Sequence, residues 1–184
     1  MIRENTSREG IVPVEPKTAV ELIFDNCGFD LTNLQVSAES LAYGACSFEL
    51  NSKRCQYRVS KITPTKTGQF VTIWKRNKDG ITAPFDISDD LDFIIIAAKG
   101  SDSQGLFIFP KSILAQKGII STNSKQGKRG IRVYPPWDMV ANKQAGQTQI
   151  WQTKYFVAID GGNAIDIDLM AEILANNEPY RQNI

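Results

Sequence analysis

The chain has 184 residues, 42% of them apolar and 22% charged, with a formal net charge of +1, the composition of one ordinary soluble domain with its own hydrophobic core. It contains no histidine, which excludes Ser-His-Asp and Cys-His nucleophile systems, the HExxH zinc site and an imidazole acid or base near neutral pH. Any catalysis would fall to carboxylates holding a hard metal, or to Lys, Tyr or Ser.

Residues 1–16, with two prolines and no apolar period, read as a loose arm; MIRENTSREG is too charged for a signal peptide. PKTAVELIFDNCGF predicts a helix, with Thr18 as N-cap, Glu21 three residues on, an apolar stripe at Val20, Ile23 and Phe24, and Gly28 as its stop. Asp30 to Ala42 is polar with scattered Leu31, Leu34, Val36 and Leu41, and has room for a short helix. From Tyr43 the period becomes two. GACSFELN, CQYRVSKIT and QFVTIWKR then read as consecutive strands, and an antiparallel meander is their simplest pairing.

DFIIIAAKG is apolar on both faces, as a central strand must be, and SDSQG turns it into GLFIFP. Its run FIIIAA is far shorter than the roughly 20 residues of a membrane-spanning helix, so a cytoplasmic protein with no membrane partner is expected. Pro110 opens the short helix KSILAQ, which Gly118 ends, and a basic loop STNSKQGKRG leads into the strand IRVYP. After Asp138, a candidate cap, AGQTQIWQTKYFVAI places Ile150, Trp151, Lys154, Tyr155 and Ala158 at helical spacing. Gly161-Gly162 breaks it, and DIDLMAEILANN closes the chain as an amphipathic helix. The order predicts an α/β (α+β) protein: one mixed, largely antiparallel sheet of five to six strands flanked by helices. Residues 17–184 make the single domain, with 160–184 a C-terminal helical extension.

Cys27, Cys46 and Cys55, odd in number and without CxxC spacing, read as reduced core side chains. Charge is more informative. Residues 50–78 hold eight cations and no acid, and residues 103–137 hold six more and none. These segments carry +14 and the rest of the chain −13, a segregation that points to a basic face and a polyanionic partner. On the strand 69–76, Phe70, Thr72, Trp74 and Arg76 would share one side. An unpaired cation on a core face costs several kcal/mol, so one of the strand cations must lie at a strand end, meet a carboxylate or line a pocket.

STNSKQGKRG fails the P-loop pattern, because Lys128 follows Gly127 but precedes Arg129; it reads as a weak anion loop with amides at Gly127 and Gly130 beside Lys128, Arg129 and Arg132. The carboxylates Asp86, Asp89, Asp90 and Asp92 in FDISDDLDF read as a solvated acidic turn, the spacing not being that of an EF-hand.

RVSKITPTKTGQFVTIWKR, APFDISDDLDFIIIA, GLFIFPKSIL, KGIISTNSKQGKRGIRVYPPWD and QTQIWQTKYF, in this order, resemble the MepB family over residues 43–156. The resemblance implies a restriction-endonuclease-like, PD-(D/E)XK fold, in which a carboxylate on one strand and an acid-x-Lys on the next hold Mg²⁺. This chain departs from that pattern. Its acid-x-Lys, Glu15-Pro16-Lys17, precedes the first helix, and the second meander strand carries Arg58-Val59-Ser60-Lys61, a cation where a metal ligand would stand. The leading expectation is a non-catalytic or degenerate nuclease-fold domain, with no metal or cofactor. Its ligand residues for nucleic acid or a phosphate-bearing ligand are Arg58, Lys61, Lys66, Gln69, Trp74, Arg76, Lys128 and Arg132. The alternatives are a Mg²⁺-dependent nuclease using Glu39, Glu49 and Asp92 with Lys61, and a protein-interaction module that docks a partner on acidic helices at 17–27 and 166–177.

Overall fold

The unbroken apolar run from Phe93 to Ala98 can be accommodated in a strand only where both faces are covered, and that requirement organises the molecule. The structure, a computed structural model, describes residues 20, 21, 23, 24, 27–39, 41–159 and 165–176. Eleven strands are formed among them: β1 (Leu31–Val36), β2 (Cys46–Leu50), β3 (Lys53–Val59), β4 (Lys61–Thr63), β5 (Lys66–Thr72), β6 (Trp74–Arg76), β7 (Thr82–Pro84), β8 (Phe93–Lys99), β9 (Gln104–Pro110), β10 (Gly130–Val133) and β11 (Phe156–Ile159). Helices α1 (Lys111–Gln116), α2 (Lys143–Gln152) and α3 (Ile167–Ala175) accompany them, and Val20, Glu21, Ile23 and Phe24, within the first helix expected from the sequence, are helical as well. None is long and apolar enough to cross a membrane.

A six-stranded mixed sheet runs in the order β1-β2-β3-β8-β9-β11. Its β3–β8 pair is parallel and the other pairs are antiparallel. Alternation along β8 and β9 sends Phe93, Ile95, Leu106 and Ile108 to one core, covered by Val20, Phe24 and α3, and Ile94, Ile96, Phe107 and Phe109 to a second. The second core is closed by a three-stranded sheet, β10-β5-β4, through Val71, Ile131 and Val133, and by Leu114 of α1. This mixed α+β architecture, with helices packed on the large sheet, is the class expected from the sequence.

Both hairpins of the expected meander form, β2–β3 and β4–β5, each antiparallel, but they lie in different sheets because both long strands are divided. Strand CQYRVSKIT is divided at Ser60, whose N–H donates to Ala97 O at 2.9 Å while its hydroxyl lies between Gln69 Oε1 and Ala97 O, at 2.7 and 2.9 Å. QFVTIWKR is divided at Ile73 into β5 and β6, and β6 pairs with β7 in a separate two-stranded sheet. The physical reason is burial: the place beside β3 lies between two cores, and β8 can fill it whereas a strand bearing Lys66, Gln69 and Arg76 cannot. The shared face predicted for Phe70, Thr72, Trp74 and Arg76 is lost with that division.

Three local expectations are also corrected. Asp30 to Ala42 forms edge strand β1, kinked where Asn33 takes φ 56°, followed by a 3-10 turn at Leu41–Tyr43. The helix predicted through Ala158 stops at Gln152; Thr153–Tyr155 is a 3-10 turn and Phe156–Ile159 is β11, because Phe156 and Val157 complete the two cores at the edge of the large sheet. Asn142, not Asp138, caps α2, its Oδ1 accepting from Ala145 N–H at 2.8 Å. Pro110 ends β9 and is the N-cap of α1. Thr18, the arm at 1–16, Glu15-Pro16-Lys17 and Gly161-Gly162 lie outside the described residues.

The three cysteines are free and buried. Burial pushes the thiols of Cys46 and Cys55 up to about 12, the nearby Asp92 charge adding to the effect at Cys55. Both should therefore resist a disulfide reagent such as DTNB at pH 8 in the folded protein and react at once in concentrated urea, which a stopped-flow absorbance trace would register.

Candidate functional site

The outer face of the β10-β5-β4 sheet is built by register. Lys61 and Arg132 both stand opposite Phe70, on β4 and β10 respectively, so the three form one row across the sheet while Val71, Ile131 and Val133 point to the core. Helix α2 stands against this face and leaves an open groove of about 690 Å³. Lys66, Lys117, Lys128 and Arg132 line it with the rings of Phe70, Tyr134 and Trp151, and no carboxylate among the described residues does. Lys61 extends the row beyond the groove, its Nζ 4.5 Å from the centre of the Tyr43 ring.

Hydrogen bonds hold α2 in place. Gln152, 1% exposed, accepts from Tyr134 N–H at 2.8 Å and donates to Arg132 O at 2.9 Å, so its amide continues the ladder at the edge of β10. Gln149 donates to Pro135 O and Asp138 O, each at 2.9 Å. The helix thus turns a polar stripe, Gln144, Thr148 and Gln152, toward the groove and leaves Ile150 65% exposed. Arg132 is fixed by donating Nη1 to Gly68 O at 2.9 Å and Nη2 to Thr63 Oγ1 at 2.8 Å. These are neutral acceptors, so they position the guanidinium at the groove wall without cancelling its charge. Lys117 Nζ lies 5.5 Å from the centre of the Trp151 ring.

The loop from Ser121 to Gly130 contributes the Lys128 side chain to the groove, while the amides of Gly127 and Lys128 turn inward. Gly127 N–H donates to Ser121 Oγ at 2.9 Å and Lys128 N–H to Ile119 O at 2.8 Å. The anion-binding amide expected at Gly127 is therefore engaged inside the protein, whereas Gly130 lies on the lining of the groove. Gly127 is required for a different reason: a Cβ there would lie 2.6 Å from Ile119 O, Ile120 C and Ser121 N, all backbone atoms that cannot swing aside. Gly127→Ala should cost about 1–3 kcal/mol in urea unfolding, as overpacking does, and displace Lys128 from the groove.

A second cavity, about 340 Å³, opens between β2, β3 and β6 and receives Arg58, Trp74 and Arg76. Glu39 lies there too, both oxygens accepting from Arg76 Nε at 2.9 and 3.0 Å. Arg58 is 7% exposed; its Nη1 donates to Tyr57 O at 2.7 Å and to Gln56 Oε1 at 3.4 Å. Burial holds its pKa below the usual arginine range. The expected ligand residues are thus divided: Lys66, Lys128 and Arg132 meet in the groove with Lys61 beside it, and Arg58, Trp74 and Arg76 meet in the second cavity. Gln69, 2% exposed, joins Ser60 to Lys99 O through its amide and serves the β5–β8 contact.

The carboxylates named for a metal site are also divided. Asp92 accepts from Arg54 N–H at 2.9 Å and Glu49 lies 4.0 Å from the Arg54 guanidinium, while Glu39 binds Arg76 and Lys61 stands on β4. Asp90 pairs with Arg54, and Asp89 pairs with Lys75 and accepts Asp86 N–H. Asp86 accepts from both the N–H and the hydroxyl of Ser88, which lower its pKa. FDISDDLDF is an acidic turn satisfied by its own backbone and neighbouring cations. Among the described residues no group of three or more Cys, Asp or Glu side chains is placed to hold a metal ion.

Sequence reasoning missed Lys117, Trp151 and the polar residues of α2. The available signal was the Gln144, Thr148, Gln152 spacing of four, a polar stripe on a helix whose apolar residues do not form a clean opposite face.

The sequence profile of the MepB-like family matches residues 37–158. The crystal structure of MepB is similar with a TM-score of 0.69 and 35% identity, covering 77% of this chain and 95% of that one. The structure of a bacterial homing endonuclease, I-Ssp6803I, covers 82% of this chain and 93% of its own at 14% identity, but its TM-score of 0.40 is too low to carry a fold assignment. No curated protein matches the chain.

Proposed function

The chain belongs to the MepB-like family, and from that premise we propose that it is a nucleic-acid-binding domain whose ligand lies in the groove between α2 and the β10-β5-β4 sheet. One observation carries the reading: four cations and three aromatic rings line a single open groove to which no carboxylate among the described residues contributes. Cations tracking a phosphate backbone and rings offering stacking faces are the two components of single-strand binding. The N-terminal turn of α2, with Asn142 and Gln144 at the groove, adds the positive end of its dipole. The reading keeps the degenerate-endonuclease ancestry implied by the sequence resemblance but rests on the groove alone. Binding rather than catalysis is proposed because Glu39, Glu49 and Asp92 are engaged locally, the first by Arg76 and the other two by Arg54.

Fluorescence anisotropy with labelled single-stranded oligonucleotides across a salt series tests it. Affinity should fall with salt with a log-log slope of about 0.7 per phosphate contacted. Lys128→Ala should lower that slope by about one contact and weaken all sequences alike. Absence of binding at low salt, or binding indifferent to a Lys66→Glu, Lys128→Glu double variant, would remove the proposal. Duplex DNA and mononucleotides, run alongside, report whether a chain of phosphates is needed.

A further inference from the structure

Arg58 sits on a strand where the surrounding faces are core, and no carboxylate among the described residues answers it. Its hydrogen bonds go to a backbone carbonyl and to the amide of Gln56, both neutral. The side chain whose charge bears on it is Cys46, and burial keeps that thiol protonated at neutral pH. The other charges of the cavity are internally matched, Arg76 with Glu39 and Lys75 with Asp89. What remains uncompensated among the described residues is the positive charge of Arg58, at the wall of a space of about 340 Å³, within the size range of small-ligand sites.

A buried guanidinium is costly unless an anion meets it, and its planar fork matches a carboxylate or phosphate with two parallel hydrogen bonds. We propose that this cavity is a second binding site, independent of the groove, for a small organic oxyanion bearing a carboxylate or phosphate group. Arg58 is its anchor. Ser47 and Gln56, on the same walls, offer a hydroxyl and an amide to the remaining oxygen atoms, and the Trp74 ring borders the space that the ligand's body would fill. Arg76, stacked 5.4 Å from the centre of that ring and clamped by Glu39, closes one side of the site.

Isothermal titration of the full chain at constant ionic strength, with acetate and benzoate in one arm and inorganic phosphate and phenyl phosphate in the other, tests the proposal. Saturable binding of at least one probe at a single site is expected, and the stronger arm identifies the anion's source. Benzoate or phenyl phosphate should also quench tryptophan emission, an effect lost in Trp74→Phe. Arg58→Met should lose at least about tenfold in affinity, the worth of a charge-assisted contact, while the oligonucleotide affinity of the groove stays unchanged. Should that variant fail to fold, Ser47→Leu, which fills the cavity from β2 and leaves Arg58 in place, should abolish binding instead. No saturable binding by wild type in either arm, or undiminished binding by the Arg58 or Ser47 variant, overturns the proposal. Loss of oligonucleotide binding with intact anion binding would overturn the groove reading and leave this one standing.

Discussion

Phe109→Ala is expected to lower the unfolding free energy by about 3–5 kcal/mol, the usual loss for deleting a buried aromatic side chain and leaving its cavity. The ring is fully buried on the second face of the large sheet, stacked on Phe107 at 5.4 Å and in contact with Trp151 and Tyr155 at 5.2 and 6.1 Å. Because Trp151 lines the groove, the same substitution should weaken oligonucleotide binding beyond the loss of folded protein. Urea unfolding followed by far-UV circular dichroism, with anisotropy measured well below the transition, separates the two effects. Stability lost with groove affinity intact would mean that Gln149 and Gln152 hold α2 without help from the core.

Arg58→Met is expected to act in the opposite direction, raising the stability of the ligand-free protein by about 1–3 kcal/mol. Replacing a buried charge by an apolar side chain of similar length removes a desolvation cost of several kcal/mol, offset by the loss of hydrogen bonds to Tyr57 O and Gln56. A structural ion pair between Arg58 and a carboxylate such as Glu49 or Asp92 would require a loss of about 3–5 kcal/mol instead. The geometry argues against that pair, since Glu49 and Asp92 meet Arg54, at the start of β3. A melting temperature that falls in Arg58→Met would contradict this account.

The two substitutions mark two levels at which the chain is legible. The side chains of β8 and β9 declare a central hairpin because no other element accommodates continuous apolar residues between polar turns. α1, α3 and the β2–β3 hairpin are likewise written in local periodicity and turn residues, and the resemblance in separated motifs names the family. The absence of histidine and the two acid-free basic segments are facts of composition that no fold could alter. Local residue patterns therefore suffice for most of the secondary elements, for the family and for the chemical character of the chain.

They do not suffice for partner choice. Whether QFVTIWKR joins β3 or leaves it depends on β8, further along the chain, being the better occupant of a place covered on both faces. Once Ser60 and Ile73 divide those strands, the cations they carry separate: Lys66 meets Lys128 and Arg132 across β5 and β10, and Arg58 meets Arg76 on the other side of the break. The Phe156–Ile159 segment shows the same dependence, helical by its spacing but recruited as β11 because β9 offered an open edge and Phe156 and Val157 fill the cores on its two faces. Hydrogen-bonded pairing and two-sided burial act between residues far apart in the chain, and it is these long-range contacts that divide one basic ribbon between a groove and a cavity.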